Sequence, residues 1–470
     1  IVDDRLDIRV AGEWTKRDGY SFNSYTNTPI DGRDLWSGRV TIGMKPVPKL
    51  QAYLVWEHFQ EDDDRLRSGK QLCKTDYGPG GSLENHAVNI NGVTMGLGPG
   101  FFASGNSNGG TNGDFFVQGC VPTSLYSRDA FQAPLGYGLP YLIGPQGLGG
   151  LATIDPYASE FQSPNLRVIN SSLNPVYRAK NDTVEFNADY ALAPQLTFTS
   201  QTGFNEDFLW STEDFNRFGA APGLFGTNSD GSNVQFCDPQ LGCSDRLVAE
   251  DLSDEHAWQL SQEFRLASKF DGPFNFSLGG NYLHYETLED YYVFLNTITW
   301  FLIGGTTPYG HQYQNLSNLG DVTYLNGYVD PTPLDALAGD GHNYYRNENP
   351  YVLNSYAAFG EVYYNITSDL KLTGGLRWTN DHKHFSLVPS WIVDTGYGYP
   401  IVGVVDQQWS EFTGRAVANW TPKLDFTSQT LIYASYAHGY KAGGANPPGA
   451  IFDDQGPLNP VHPLTFKPEF

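Results

Sequence analysis

Five times along this 470-residue chain, two stretches of alternating apolar and polar residues are joined by a turn of only a few residues. The connections between these hairpins are far longer, about 20 to 120 residues. Short turns on one side and long loops on the other are how a transmembrane β-barrel reads in sequence.

The alternation is explicit. Trp36, Gly38, Val40, Ile42 and Met44 alternate with Ser37, Arg39, Thr41 and Gly43. Val184, Phe186, Ala188 and Tyr190 alternate with Glu185, Asn187 and Asp189. Trp258, Leu260, Phe264 and Leu266 alternate with Gln259, Ser261, Glu263 and Arg265. A period of two places each set on its own face of a strand. Runs of about 9 to 12 residues are long enough to cross a bilayer when tilted.

About eleven strands are expected, near 5–14, 35–45, 49–60, 183–192, 195–204, 257–267, 274–285, 354–366, 370–380, 412–420 and 429–439. Short turns are expected near Pro46-Val47-Pro48, Ala193-Pro194, Lys269 to Pro273, Thr367 to Asp369 and Thr421 to Thr427, where Pro, Gly, Asp and Asn favour turning. The long connections are 15–34, 61–182, 205–256, 286–353 and 381–411. By strand parity all five fall on one side. The expected fold class is therefore all-β, a portion of one antiparallel barrel domain running through residues 1–470.

Composition agrees. There are 52 Gly, 29 Tyr, 29 Phe and 10 Trp but only 2 Met, so strand and turn formers outnumber good helix formers. No apolar run reaches the roughly 18 residues of a membrane helix. The longest, Tyr291 to Gly305, is too short and contains Asn296. A net charge of −24 argues against nucleic-acid binding, which wants a basic face. Acids such as Asp62, Asp63 and Asp64 read as a solvated loop surface. Ca²⁺ takes hard oxygens, but their spacing matches no dedicated loop. A soluble sandwich also alternates, and a propeller would show a repeat of about 40 residues, which is absent.

The four cysteines fall as Cys73 with Cys120 and Cys237 with Cys243, each pair within one long loop. An oxidising compartment would allow both bridges, at roughly 2 to 4 kcal/mol each. No CxxC spacing suggests zinc, and no metal site is expected. The chain opens Ile1-Val2-Asp3-Asp4 without a signal-peptide pattern, as a mature secreted chain or an internal fragment would.

Aromatics near the expected strand ends (Trp36, Tyr190, Trp258, Tyr282, Trp378 and Trp420) suit interfacial girdles. Charges on the polar face should avoid lipid, so Arg39, Glu185, Asp189, Glu263, Arg265, Glu361, Arg377 and Arg415 are expected to face a lumen. Loop 286–353 holds the densest aromatic patch, with Tyr291, Tyr292, Trp300, Phe301, Tyr309, His311 and Tyr313. Such faces with polar tips suit sugars, polyphenols or aromatic chelators, and a self-packed loop is the plainer reading. His382 and His384 flank Lys383 past a strand, where a solvated strand end is simpler than a metal pair. There is no GxSxG elbow, HExxH or P-loop, so neither an enzyme nor a cofactor is expected.

Several segments resemble TonB-dependent outer-membrane receptors. They are Ser261-Gln-Glu-Phe-Arg-Leu-Ala-Ser268 followed by Asp271-Gly272-Pro273, Phe359-Gly-Glu361 followed by Leu372-Thr-Gly-Gly-Leu-Arg377, and Tyr433-Ala-Ser-Tyr436 followed by Gly439-Tyr-Lys-Ala-Gly-Gly444. Phe466-Lys-Pro-Glu469 and Arg9-Val-Ala-Gly12 with Asp18-Gly-Tyr20 add to the likeness. The resemblance implies a barrel of about twenty-two strands around an N-terminal plug. It also implies a bacterial outer-membrane location, contact with membrane lipid and with an inner-membrane TonB complex, and active uptake of a scarce small ligand. Iron-siderophores, cobalamin and carbohydrates are all open as that ligand. The lumen charges would then face the plug. No plug or TonB-interacting segment is recognisable, and Pro468 cannot donate to a closing ladder, so the chain reads as an internal portion of a longer protein. The alternatives are a passive porin-like channel and a secreted or surface β-rich binding protein.

Overall fold

Eleven long strands carry the alternating segments in the computed structural model. They are β1 (Leu6–Arg17), β2 (Arg33–Val47), β3 (Leu50–Asp63), β4 (Val176–Ala193), β5 (Leu196–Asp214) and β6 (Ala249–Ser268). Then come β7 (Phe274–Leu295), β8 (Tyr351–Asn365), β9 (Leu370–Leu387), β10 (Gly403–Trp420) and β11 (Ile432–His438). Each pairs antiparallel with its neighbour in chain order, from β1 at one edge of the sheet to β11 at the other. The structure describes residues 5–75, 87–90, 93–96, 120–121, 123–134, 157, 160–302, 331–337, 345–388, 391–392, 403–445 and 465–470. Among them the one α-helix is α1 (Asn296–Leu302), and no helix is long and apolar enough to cross a membrane.

The tight connections sit where backbone chemistry demands them. Only Pro48 and Lys49 separate β2 from β3, and the ladder slips between Met44 and Val47 because Pro46 cannot donate to it. Pro194 and Gln195 turn β4 into β5. All five short connections lie at one end of the sheet and all five long ones at the other.

Register then fixes the two faces. One row runs Ala11, Arg39, Glu57, Thr183, Asn205, Gln259 and Tyr285 across seven strands. The adjacent row, on the opposite face, runs Val10, Val40, Trp56, Val184, Phe204, Leu260 and His284. The apolar face is exposed over long stretches: Val10 is 73% exposed, Leu376 59% and Phe412 60%. Isolated surface apolar residues are ordinary, but a whole face of them needs a lipid or protein cover. Two aromatic rings bound this face. Trp14, Trp36, Trp258 and Trp378 stand toward the long-loop end, and Tyr190, Phe274, Tyr364 and Trp420 toward the short-turn end. Trp420 lies opposite Leu370. The step from there to Trp378 is eight residues on β9, about 26 Å of strand. That fits an apolar band about 25 Å tall once the strand is tilted.

Above the outer ring the strands run further than the alternation predicts. β5 continues to Asp214, β6 begins at Ala249 and β7 reaches Leu295. There the chain builds a packed cap. One core gathers Phe218, Phe225, Phe236, Leu295, Ile298 and Trp300. A second gathers Leu241, Leu252, Tyr292 and Phe294. Both faces of these strand ends are covered, so the period of two dissolves into runs such as Tyr292-Val293-Phe294-Leu295, buried throughout. Disulfides Cys73–Cys120 and Cys237–Cys243 tie the cap, as the sequence pairing suggested. Asp214, only 1% exposed, binds the returning loop to β5. Its carboxylate accepts from Ser172 N and Oγ at 2.6 Å each, from Ser171 Oγ at 3.1 Å, and from the backbone N–H groups of Asn216 and Arg217.

Two outcomes are expected from this arrangement. In the full-length protein folded into phospholipid vesicles, Val40→Arg on the apolar face, four residues inside Trp36, lowers unfolding stability by about 2–4 kcal/mol. Ser277→Arg on the opposite face costs far less. Equal losses in a denaturant titration would mean that the apolar face does not meet lipid. The second concerns Glu250 in the cap, whose burial pushes its carboxyl up to about 8 from an ordinary 4.5. The folded state therefore favours the proton, and this contribution to stability is complete below about 4.5 and lost as pH rises to about 8. Amide exchange of residues 249–252, corrected for intrinsic rate, is expected to accelerate across that window, and Glu250→Gln to flatten the change. A flat wild-type profile would remove the basis for it.

Candidate functional site: the polar inner wall and the vestibule under the cap

The polar face of the sheet carries every charge that the sequence assigned to a lumen. Arg39, Glu185, Asp189, Glu263, Arg265, Glu361, Arg377 and Arg415 share that face by register. Several are held by neighbours on adjacent strands. Arg415 clasps Glu361 with two parallel contacts, Nε to Oε2 at 2.7 Å and Nη2 to Oε1 at 2.9 Å. Such a fork is among the stronger charge-assisted bonds. Arg377 donates to Asn281 Oδ1 at 3.1 Å and to Thr379 Oγ1 at 3.0 Å. Arg39 sits 3.8 Å from Glu57. Between β4 and β7 the wall is hollowed into a recess of about 410 Å³ lined by Glu185, Gln201, Asn205, Ser261, Glu263 and Asn281. Gly203 opens that recess, since a Cβ there would meet Ser261 Oγ at 2.8 Å. Amides, hydroxyls and two carboxylates give it donors and acceptors for a polar occupant.

Higher on the same face, toward the long loops, the wall turns acidic and aromatic. Glu255 lies directly across from Glu289, with Asp207 nearby on β5. Burial, then the neighbouring carboxylates of Glu289 and Asp207, hold the Glu255 carboxyl above its usual range. Beside them, rings step across three strands: Tyr285 to Tyr351 at 6.1 Å, and Tyr351 to Phe385 at 4.7 Å. The sequence reading missed this ledge because all of these residues but Tyr285, the last of its expected strand, fell in segments treated as loop. The usable signal was continuation of the same odd-numbered alternation past the tryptophans.

Under the cap, a strap at the start of the 64–175 connection crosses β5 and β6. Arg67 pairs with Asp251 and lies 3.9 Å from Glu213, and Ser68 Oγ donates to Glu213 at 3.1 Å. Arg217 approaches Glu213 at 3.4 Å. Glu213 is 3% exposed, and its burial raises its carboxyl despite both guanidinium groups. It borders a small cavity of about 30 Å³, room for a water or two, with Lys70, Asn170 and Ser171 on other sides. Burial lowers the Lys70 ammonium to about 8, and its Nζ donates to the Ser163 carbonyl.

The aromatic patch expected at 286–353 divides. Tyr291 donates to Asp251 Oδ2 at 3.2 Å, and burial followed by that carboxylate pushes its phenol well up. Tyr292 and Trp300 are core, not a solvent-facing patch. Tyr292, 3% exposed, stacks on Phe294 with Arg346 over its ring, and burial raises its phenol to about 12. Trp300, 9% exposed, packs 5.3 Å from both Phe225 and Phe236. Tyr309, His311 and Tyr313 lie outside the described residues. His384 Nδ1 donates to Asp406 Oδ1 at 2.8 Å, and His382 lies 3.7 Å from the same carboxylate. Among the described residues no three His, Cys, Asp or Glu side chains are arranged to hold a metal ion.

Comparison with known proteins places the chain. Residues 123–470 match the family model described as "TonB dependent receptor-like, beta-barrel". No curated protein matches the sequence. Among solved structures, the ferric yersiniabactin uptake receptor FyuA from Yersinia pestis is 12% identical, with a TM-score of 0.50, over 96% of this chain and 45% of that one. The siderophore receptor PiuA from Acinetobacter baumannii is 11% identical, with a TM-score of 0.47, over 94% of this chain and 46% of that one. At these identities the likeness speaks for fold alone, and the chain spans about half the length of the structures it matches. With an all-β antiparallel sheet of the barrel type and a family match over most of its length, the chain belongs to the TonB-dependent receptor β-barrel family.

Proposed function

We propose that this chain is part of a receptor that takes up a scarce small ligand across the bacterial outer membrane, driven by the inner-membrane TonB complex. The observation that carries the reading is the family match over residues 123–470, joined to a sheet with one apolar and one polar face. The apolar face meets lipid. The polar wall, with Arg39, Glu263, Arg265, Glu361, Arg377 and Arg415, faces a plug that the receptor family carries in its lumen. The ligand enters from the long-loop side, past Tyr291 and the ledge of Tyr285, Tyr351 and Phe385. Iron-siderophore, cobalamin and carbohydrate remain the ligand classes. Tyr309, His311 and Tyr313 stay candidates for the same contact.

The test is uptake in a deletion strain. Labelled ferric siderophores, cobalamin and oligosaccharides are supplied with and without a protonophore. Loss of uptake of one class on deletion, and equally on collapse of the proton gradient, is the expected outcome. Unchanged uptake of all three would overturn the receptor reading. Uptake that depends on the gene but survives the protonophore would point to the passive channel. Within a working receptor, Tyr351→Ala is expected to weaken ligand binding about threefold or more, the worth of a lost aromatic contact, with normal membrane assembly.

A further inference from the structure

Lys70 is a cation without an anion. It lies in the strap that crosses β5 and β6, and among the described residues no carboxylate pairs with it. A half-buried ammonium with no counter-ion is costly, and such a group drifts toward the neutral amine. Burial alone brings Lys70 down to about 8. Its Nζ donates to the Ser163 carbonyl, and once neutral it keeps a lone pair. A desolvated neutral amine is a nucleophile.

The small cavity under the strap gathers three more groups around that amine: the Asn170 carboxamide, Glu213 and Arg217. Ser68, two residues before Lys70, donates to Glu213 Oε1 at 3.1 Å. Ser171, next to Asn170, donates to Asp214 at 3.1 Å. The strap and the returning loop are thus moored to consecutive residues at the end of β5. Asn170 is itself fixed, since its carbonyl accepts from Gly219 N at 2.8 Å and its Nδ2 donates to Glu160 at 3.1 Å. Glycine at 219 permits this, because a Cβ there would stand 2.6 Å from Asn170 Oδ1. Glu213 Oε2 and Arg217 Nε are both buried without a hydrogen-bond partner among the described residues. Orphaned buried groups are rare and ask for a reason. Arg217 also holds a φ of 57°, a left-handed conformation that is uncommon outside glycine and gathers at functional sites. A water in the cavity would satisfy Glu213 and Arg217, yet it would leave Lys70 without a counter-ion.

We propose that Lys70 and Asn170 join in an amide bond within the folded chain, with Glu213 carrying the proton. Lys70 Nζ attacks Asn170 Cγ, and Arg217 Nε donates to Oδ1 as negative charge gathers there. Glu213 Oε2 takes a proton from Nζ and passes it to Nδ2. The Cγ–Nδ2 bond breaks, the Nζ–Cγ bond remains and ammonia leaves, so Glu213 ends as it began. Nothing is oxidised or reduced, and no further reactant is needed. The bond ties the beginning of the 64–175 connection to its end where both meet β5. It lies near the Cys73–Cys120 disulfide in sequence and, unlike that disulfide, survives reductant. Like a disulfide, it restricts the unfolded chain across a long loop.

Peptide mapping by mass spectrometry decides it, on the full-length protein reduced and digested with trypsin. Residues 68–74, uncut at Lys70, are expected joined to residues 168–178, and lighter than the two peptides together by one ammonia. On a denaturing gel with reductant, the wild type is expected to run ahead of Lys70→Arg, which cannot form the bond. For the rate, unlinked chain is refolded from denaturant into detergent micelles. Glu213→Gln is expected to slow linking about a hundredfold or more. Formation of the Cys73–Cys120 disulfide at the normal rate reports that this variant folds. If it does not fold, the wild-type map and Lys70→Arg still decide. A wild type cut at Lys70, with both peptides at full mass, would overturn the proposal. Linking at the wild-type rate in Glu213→Gln would overturn it too, as would Asn170 recovered as aspartate, its carboxamide lost to water instead.

Discussion

A backbone that crosses hydrocarbon has no water to bond to, so every N–H and C=O must find a partner inside the protein. That constraint organises this molecule. Eleven strands meet it through ladders between chain neighbours, and at one end two of the five short connections are turns of only two residues. Once the ladder is set, the period of two leaves no freedom. A slip of one residue would carry Arg39, Glu263 and Arg377 into lipid and Val40, Phe264 and Trp378 into the lumen. The register is therefore pinned by solvent on both sides, and the two observed irregularities, between Met44 and Val47 and between Ala191 and Ala193, lie beside the turns, where both faces are nearly at water.

This explains why the wall was legible in the sequence. Where one face meets lipid and the other polar surroundings, the residue pattern states the environment directly, and all eleven expected strands are present. Legibility stops where the environment stops being two-sided. At Ala249 to Ser253 and Tyr292 to Leu295 the strands continue into the cap, which buries both faces, and the alternation vanishes although the ladder does not. Read as loop, these residues and their neighbours hid nearly half of each of β5, β6 and β7. They also hid the true place of Tyr292 and Trp300, whose large rings drew attention as a binding patch and serve as core.

The inner site was half legible for a related reason. Its charges could be assigned to a face by parity alone. Their partners could not, because Arg415 and Glu361 are 54 residues apart and meet only when β8, β9 and β10 are in register. The same holds for Arg67 reaching Asp251 across 184 residues. Charge pairs on an exposed wall contribute little to stability, with a median near 0–1 kcal/mol. Their value here is positional. They hold a row of donors and acceptors in place along the polar face, while the hydrogen-bond ladder carries the stability.

The two edges of the sheet add a condition on anything that completes it. β1 and β11 both run from the short-turn end toward the long-loop end, because the strands between them alternate and their number is odd. An antiparallel neighbour must run the other way at each edge. Closure of this sheet into a barrel by antiparallel pairing therefore takes an odd number of further strands. A second copy inserted the same way round would present β1 to β11 in parallel, so it could not supply them. Only strands whose first and last members both descend would satisfy both edges, and these would place their own short turns at the end where the five described here already lie.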